Sequence, residues 1–131
     1  MIFVDTNLLI SGMVHNSGAD VLLRQWLREE QDLRINVIVW AEFACGPVSP
    51  EQLKLATVLF PQPEPLLAVD AMRGAELFNT TGRRRGSLAD CLIAATCLRL
   101  GAAIATANVA DFRVFAPMGL SLVETENTRI P

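Results

Sequence analysis

The chain opens on four apolar residues, "MIFV", that run into Asp5, Thr6 and Asn7. So short an apolar run predicts a buried strand, and Asp5 or Asn7 can cap the helix after it. In "SGADVLLRQWLREEQ" the residues Val21, Leu22, Trp26 and Leu27 recur at helical spacing with charges between them. "LRINVIV" is rich in β-branched residues and predicts a second strand. "WAEFACG" predicts a short helix closed by Gly46, with Pro47 beyond. Ser49 and Pro50 open another helix in "SPEQLKLATVLF". "PLLAV" predicts a short third strand, after which Asp70 caps "AMRGAELFNTT". The glycines and charges of "GRRRGS" mark a loop. "LADCLIAATCLRLG" is the plainest helix: Ser87 can cap it, Leu88, Cys91, Leu92 and Ala95 form a stripe, and Gly101 ends it. "AAIAT" predicts a fourth strand, "NVADFRVF" a turn of helix or a loop, and "LSLVE" a last strand.

Strands alternating with helices mean an α/β domain with a mostly parallel sheet. No repeat, low-complexity tract or linker divides residues 1–131, so a single domain is expected. Half of the composition is apolar (51%). That excess is either core or a surface that a partner covers. The formal net charge of −3 argues against a basic surface that grips nucleic acid by bulk electrostatics. It leaves room for a nucleic-acid enzyme whose bound divalent metals invert the local charge. Cys45, Cys91 and Cys97 follow no metal-ligand spacing and read as reduced core residues. The apolar N-terminus lacks a basic lead-in, and no apolar run is long enough to span a membrane, so a cytoplasmic protein is expected.

Elimination narrows the chemistry. The one histidine, His15, lies in the polar stretch "VHNSG", and there is no tyrosine. No "GxSxG" elbow, GxGxxG or GxxxxGKS motif is present. Carboxylates remain. Asp5 ends strand one, Glu42 follows strand two, Asp90 begins the plainest helix, and Asp111 follows strand four. Each has a structural reading: Asp5 as a cap, Ser87-x-x-Asp90 and Asn108-x-x-Asp111 as helix starts, Glu42 as a surface residue. Together they change the picture. In a parallel sheet ligand sites form outside the carboxyl ends of the strands, so all four converge at one edge. Four carboxylates in one cleft repel each other unless a cation neutralises them, and all-oxygen ligation suits Mg²⁺ or Mn²⁺. Such ions serve phosphodiester hydrolysis.

The stretches "MIFVDTNLLIS", "VIVWAEFACG" and "LADCLIAATCLRLGAAIATANVADF" together resemble a PIN domain, most of all the small toxin ribonucleases of the VapC type. The resemblance implies a three-layer α/β/α fold with parallel strand order 3-2-1-4-5. It implies a Mg²⁺- or Mn²⁺-dependent endoribonuclease, homodimeric and neutralised by a cognate antitoxin, that leaves 5′-phosphate and 3′-hydroxyl ends. By the same resemblance the acidic site is Asp5, Glu42, Asp90 and Asp111. All four are expected at the metal: Asp5 and Asp90 as direct ligands, Asp111 on a metal or its waters, and Glu42 as a ligand or as the acceptor of a proton from the attacking water. Thr6, Asn7, Thr106 and Asn108 match polar positions that orient the carboxylates or bond metal-bound water. From about Pro47 to Gly86 the chain carries no motif of the family.

Arg83, Arg84 and Arg85 are the densest positive cluster and directly precede the Asp90 helix. They either hold the RNA backbone or form a solvated loop. Arg113 is a second possible phosphate contact. Trp26 and Trp40 read as core or as part of a surface an antitoxin covers. Two alternatives stand beside the nuclease. One is a phosphohydrolase of the haloacid-dehalogenase type with Asp5 as nucleophile, although Asn7 stands where that family needs a second aspartate and Lys54 is the only lysine. The other is a non-catalytic RNA-binding module on the same fold.

Overall fold

The computed structural model describes residues 1–123. Strand β1 (Ile2–Val4) lies between β2 (Leu33–Arg34) and β3 (Ala103–Ala105), and β4 (Ser121–Leu122) pairs with β3. All three pairings are parallel, in the order β2-β1-β3-β4. Helices α1 (Thr6–Gly12), α2 (Gly18–Arg28), α3 (Val37–Cys45), α4 (Pro50–Leu59), α5 (Ala68–Thr80), α6 (Leu88–Leu100) and α7 (Val109–Arg113) flank this sheet. Phe3 and Val4 are fully buried, as are Ile104 and Ala105 beside them.

The α/β/α class stands, and two of the expected strands shrink. The run "INVIV" leaves the sheet early because the buried Asn36 accepts a bond from Val39 N (2.9 Å) and starts α3. Cap chemistry and burial here outweigh the strand preference of three β-branched residues. The expected third strand, "PLLAV", is a helix start instead. Only one parallel bridge, Asn36 to Glu64, marks its place beside β2. Pro63 and Pro65 on either side of Glu64 have no N–H to extend the ladder. That bridge occupies the third-strand position in the order 3-2-1-4-5, and β2, β1, β3 and β4 occupy the rest. In "LSLVE" only Ser121 and Leu122 pair, and Glu124 lies outside the described residues.

Of the local expectations, the Ser49 cap holds and others shift. Ser49 caps α4 with a full capping box to Gln52. Asp70, expected as a cap, sits inside α5, accepts from Leu67 N (2.9 Å) and pairs with Arg99 (2.8 Å). Ser87 Oγ donates to the Arg84 carbonyl rather than capping α6. In α2 the buried face is Ala19, Leu22, Leu23 and Trp26, while Val21 and Leu27 are exposed. Helix α6 is buried from Cys91 through Cys97 except at the half-buried Leu92, so it has a core on most sides rather than one stripe, and Leu88 is exposed. It packs so closely on α5 that a Cβ on Gly74 would stand 2.7 Å from Leu92 Cδ2. Cys91 and Cys97 are buried as expected, but Cys45 is exposed because it ends α3 on the solvent side. No helix among the described residues is long and apolar enough to cross a membrane.

Candidate active site

The register of β1 on β3 builds the centre of the site. Val4 pairs with Ala105, so the next residues, Asp5 and Thr106, leave the sheet side by side. The Asp5 amide continues the ladder to the Ala105 carbonyl (2.9 Å). The carboxylate is 3% exposed and held at both oxygens: Oδ1 accepts from Thr6 N (2.8 Å), Oδ2 from Thr106 Oγ1 (2.7 Å). Asp5 is therefore the cap of α1, a role the sequence left open between Asp5 and Asn7. Thr106 Oγ1 also accepts from Asn108 N (2.9 Å), which ties the start of α7 to the same point.

Glu42 comes from the middle of α3, not from a strand end, and is exposed. Thr6 Oγ1 donates to Glu42 Oε1 (2.7 Å), so one α1 residue links Glu42 to the cap carboxylate. The helix that carries Glu42 is itself fixed by Asn36, whose Nδ2 donates to Thr96 Oγ1 of α6 (3.1 Å). Asn36 is a positioning residue the sequence reading overlooked. Its signal was an asparagine just before an apolar run, a standard helix start. Asp90 lies in the first turn of α6 and Asp111 in the first turn of α7.

The four acids act on one another electrostatically. Burial raises the pKa of Asp5, the bonds from Thr106 and Thr6 oppose that, and the charges of Glu42 and Asp111 add to it. Burial and then the charges of Asp5, Asp111 and Glu42 push Asp90 up to about 7, with Arg84 working against them. Such crowding is unfavourable without a cation.

As a donor set these residues fit a hard divalent ion: oxygen ligands only, with excess negative charge at one sheet edge. Their arrangement is open. Among the described residues no three acidic, histidine or cysteine groups are gathered tightly enough to enclose an ion as they stand. Asp5 and Glu42 instead accept from the threonine donors Thr106 and Thr6.

The other residues singled out divide. Thr6 and Thr106 orient carboxylates. Asn108 contributes its backbone amide, and Asn7 is exposed. Arg85 and Arg113 are exposed, Arg83 stacks on Phe78, and Arg84 is half-buried, its charge opposing the rise at Asp90. Trp26 belongs to the core, so it forms no docking surface. Trp40 is half-buried against Phe43.

Solved structures share this architecture. VapBC2 from Rickettsia felis bound to a promoter DNA fragment matches with a TM-score of 0.73 and 20% identity, over 94% of this chain and 98% of that one. FitAcB from Neisseria gonorrhoeae matches with a TM-score of 0.69 and 20% identity, over 95% and 97%. A toxin–antitoxin complex from Klebsiella pneumoniae matches with a TM-score of 0.69 and 24% identity, over 86% and 90%. At these identities the likeness is one of fold. No curated protein matches the sequence. The profile of the PIN domain matches residues 2–116, a span that holds Asp5, Glu42, Asp90 and Asp111, and the chain belongs to the PIN domain family.

Proposed function

We propose that this chain is a Mg²⁺- or Mn²⁺-dependent endoribonuclease and the toxin of a toxin–antitoxin pair. The observation that carries the reading is the placing of Asp5 beside Thr106 beyond the paired ends of β1 and β3, with Glu42 tied to the same point through Thr6. The similar structures include toxin–antitoxin complexes, which supports the toxin assignment. A divalent ion here would supply polarisation of the phosphoryl group and activation of the attacking water. Asp5 and Asp90 would hold it, with Asp111 completing the site. Thr106 keeps Asp5 turned toward the site through the 2.7 Å bond to Oδ2. Thr6 keeps Glu42 Oε1 fixed, so its other oxygen can take a proton from the attacking water. Attack in line leaves a 5′-phosphate and a 3′-hydroxyl.

An antitoxin partner is part of the same proposal. Between α2, α4 and the end of α1 lies a small cleft lined by Leu23, Leu27, Leu55 and Leu59, with the Asp20–Arg24 pair at its side. An apolar side chain of an antitoxin segment is proposed to enter it. A homodimer is proposed too: Leu67, Val69 and Met72 at the start of α5 are exposed. The chain is proposed to act in the cytoplasm. The haloacid-dehalogenase reading lacks its chemistry, since Asn7 is no aspartate and Lys54 lies on α4.

The test is cleavage of RNA by the purified chain. Activity should vanish in chelator and return with Mg²⁺ or Mn²⁺. Asp5→Asn that cleaves as fast as the parent would overturn the site, and hydrolysis of a generic phosphate ester in place of RNA would overturn the reaction class. Retained RNA binding without cleavage at any metal concentration would favour the non-catalytic module.

A further inference from the structure

The loop from Gly82 to Ser87 joins α5 to α6 and carries the three consecutive arginines. Gly82, Arg83 and Gly86 take φ values of 89°, 51° and 80°, so the loop is tightly curled. Arg83 fastens it: its guanidinium lies over the Phe78 ring at 5.4 Å and donates to Asn79 Oδ1. Arg85 is exposed. Arg84 differs from both. Its carbonyl accepts from Ser87 N (3.1 Å) and Ser87 Oγ (2.7 Å), which fixes its backbone at the entry to α6.

The Nε and Nη2 of Arg84 are buried and, among the described residues, have no hydrogen-bond partner. This edge of a guanidinium is the one that forks a carboxylate. Arg34 uses it on Asp32 (3.0 and 3.1 Å), and Arg99 uses it on Asp70 (2.8 and 3.1 Å). Arg84 joins no ion pair among the described residues, although Asp90 feels its charge. A buried donor pair without an acceptor is costly, and it is relieved by an anion offering two oxygens side by side. A phosphodiester offers such a pair, and guanidinium matches it better than an ammonium does.

We propose that Arg84 is the phosphate-binding residue of this loop: as RNA arrives, its Nε–Nη2 edge turns out and forks the two non-bridging oxygens of a phosphate beside Asp90. Arg83 holds the loop for it. This rests on the nuclease reading. Asp90 is the competing partner for the fork, but pairing with it would withdraw a carboxylate from the metal.

The experiment is steady-state cleavage of a labelled single-stranded RNA by the full chain in Mg²⁺, at several salt concentrations, with Tm measured for every variant. Arg84→Ala should lower kcat/KM about 10- to 100-fold, the loss expected for a charge-assisted fork. The slope of log kcat/KM against log salt should fall by roughly one. Arg84→Lys should restore the slope while recovering little of the rate, because a point charge cannot fork. Arg73→Ala, an exposed arginine on α5, should stay within about twofold of the parent. Should Arg84→Ala fold poorly, Arg84→Gln carries the same expectation. A parent that cleaves beside an unchanged Arg84→Ala overturns this inference alone. So does full rescue by lysine, or a variant that needs less Mg²⁺ than the parent, which would assign the fork to Asp90. A parent that neither binds nor cleaves the RNA overturns the nuclease reading and this inference with it.

Discussion

Asp90→Asn should stabilise the metal-free protein while removing its activity. In the folded chain Asp90 is pushed up to about 7, first by burial and then by Asp5, Asp111 and Glu42. In the unfolded chain it titrates near 3.9. The folded state thus binds the extra proton between these values, and stability falls as pH rises through that window. Above about pH 7 the full penalty is present. Roughly three pKa units correspond to about 4 kcal/mol, and half-burial with local relaxation reduces this to roughly 2–4 kcal/mol. Asparagine removes that penalty. It also forfeits a favourable charge in the first turn of α6, about 0.3–1 kcal/mol. The net gain of roughly 2–3 kcal/mol should raise Tm by about 6–10 °C for a domain of this size.

The assay is thermal unfolding of parent and variant in chelator at pH 4, 6 and 8. The curves should coincide near pH 4, separate through pH 6 and reach a constant gap by pH 8. Saturating Mg²⁺ should raise the parent's Tm far more than the variant's, because the ion offsets the same crowding that asparagine removes. A variant no more stable than the parent at pH 8 in chelator would refute the reasoning. The acids would then not be crowded enough to call for a cation.

The opposite sign holds at Asp70. It is 1% exposed, and the Arg99 and Leu67 bonds outweigh burial to hold its pKa below the usual range. Its stabilisation is present above about pH 4 and should be lost as pH falls below that, and Asp70→Asn should cost about 3 kcal/mol at pH 7 by urea unfolding, with little difference from the parent at pH 2. Gly74→Ala should destabilise by about 1–3 kcal/mol despite alanine's better helix propensity, because its Cβ would stand 2.7 Å from Leu92 Cδ2. Asn36→Ala should cost about 2–3 kcal/mol and lower RNA cleavage through a misplaced Glu42, read as a Tm drop together with a reduced kcat. Thr106→Val deletes the donor to Asp5 and the acceptor of Asn108 N, and should raise the Mg²⁺ concentration needed for half-maximal cleavage together with a drop in Tm.

Much of the site was legible because it is written at the ends of backbone elements. A short apolar run that stops on Asp5, and another that stops before Thr106, suffice to put those residues side by side once the sheet is parallel. Asp90 and Asp111 were legible as helix-start residues, and they lie in the first turns of α6 and α7. What the sequence hid depends on contacts distant in the chain. "NVIV" has the local preference of a strand, and only the burial of Asn36 against Thr96, sixty positions on, turns it into the helix that aims Glu42. The third strand failed through Pro63 and Pro65, a local signal that the apolar "PLLAV" overshadowed. The arginine loop shows the sharpest limit. Arg83 and Arg84 are adjacent and chemically identical, so no pattern along the chain separates them. Their difference is that Arg83 finds Phe78 and Asn79 at the end of the preceding helix, while the Nε and Nη2 of Arg84 are buried without an acceptor among the described residues. Residue type and spacing therefore locate a charge near a site, but the pairing of each donor decides whether that charge holds the fold or awaits a substrate.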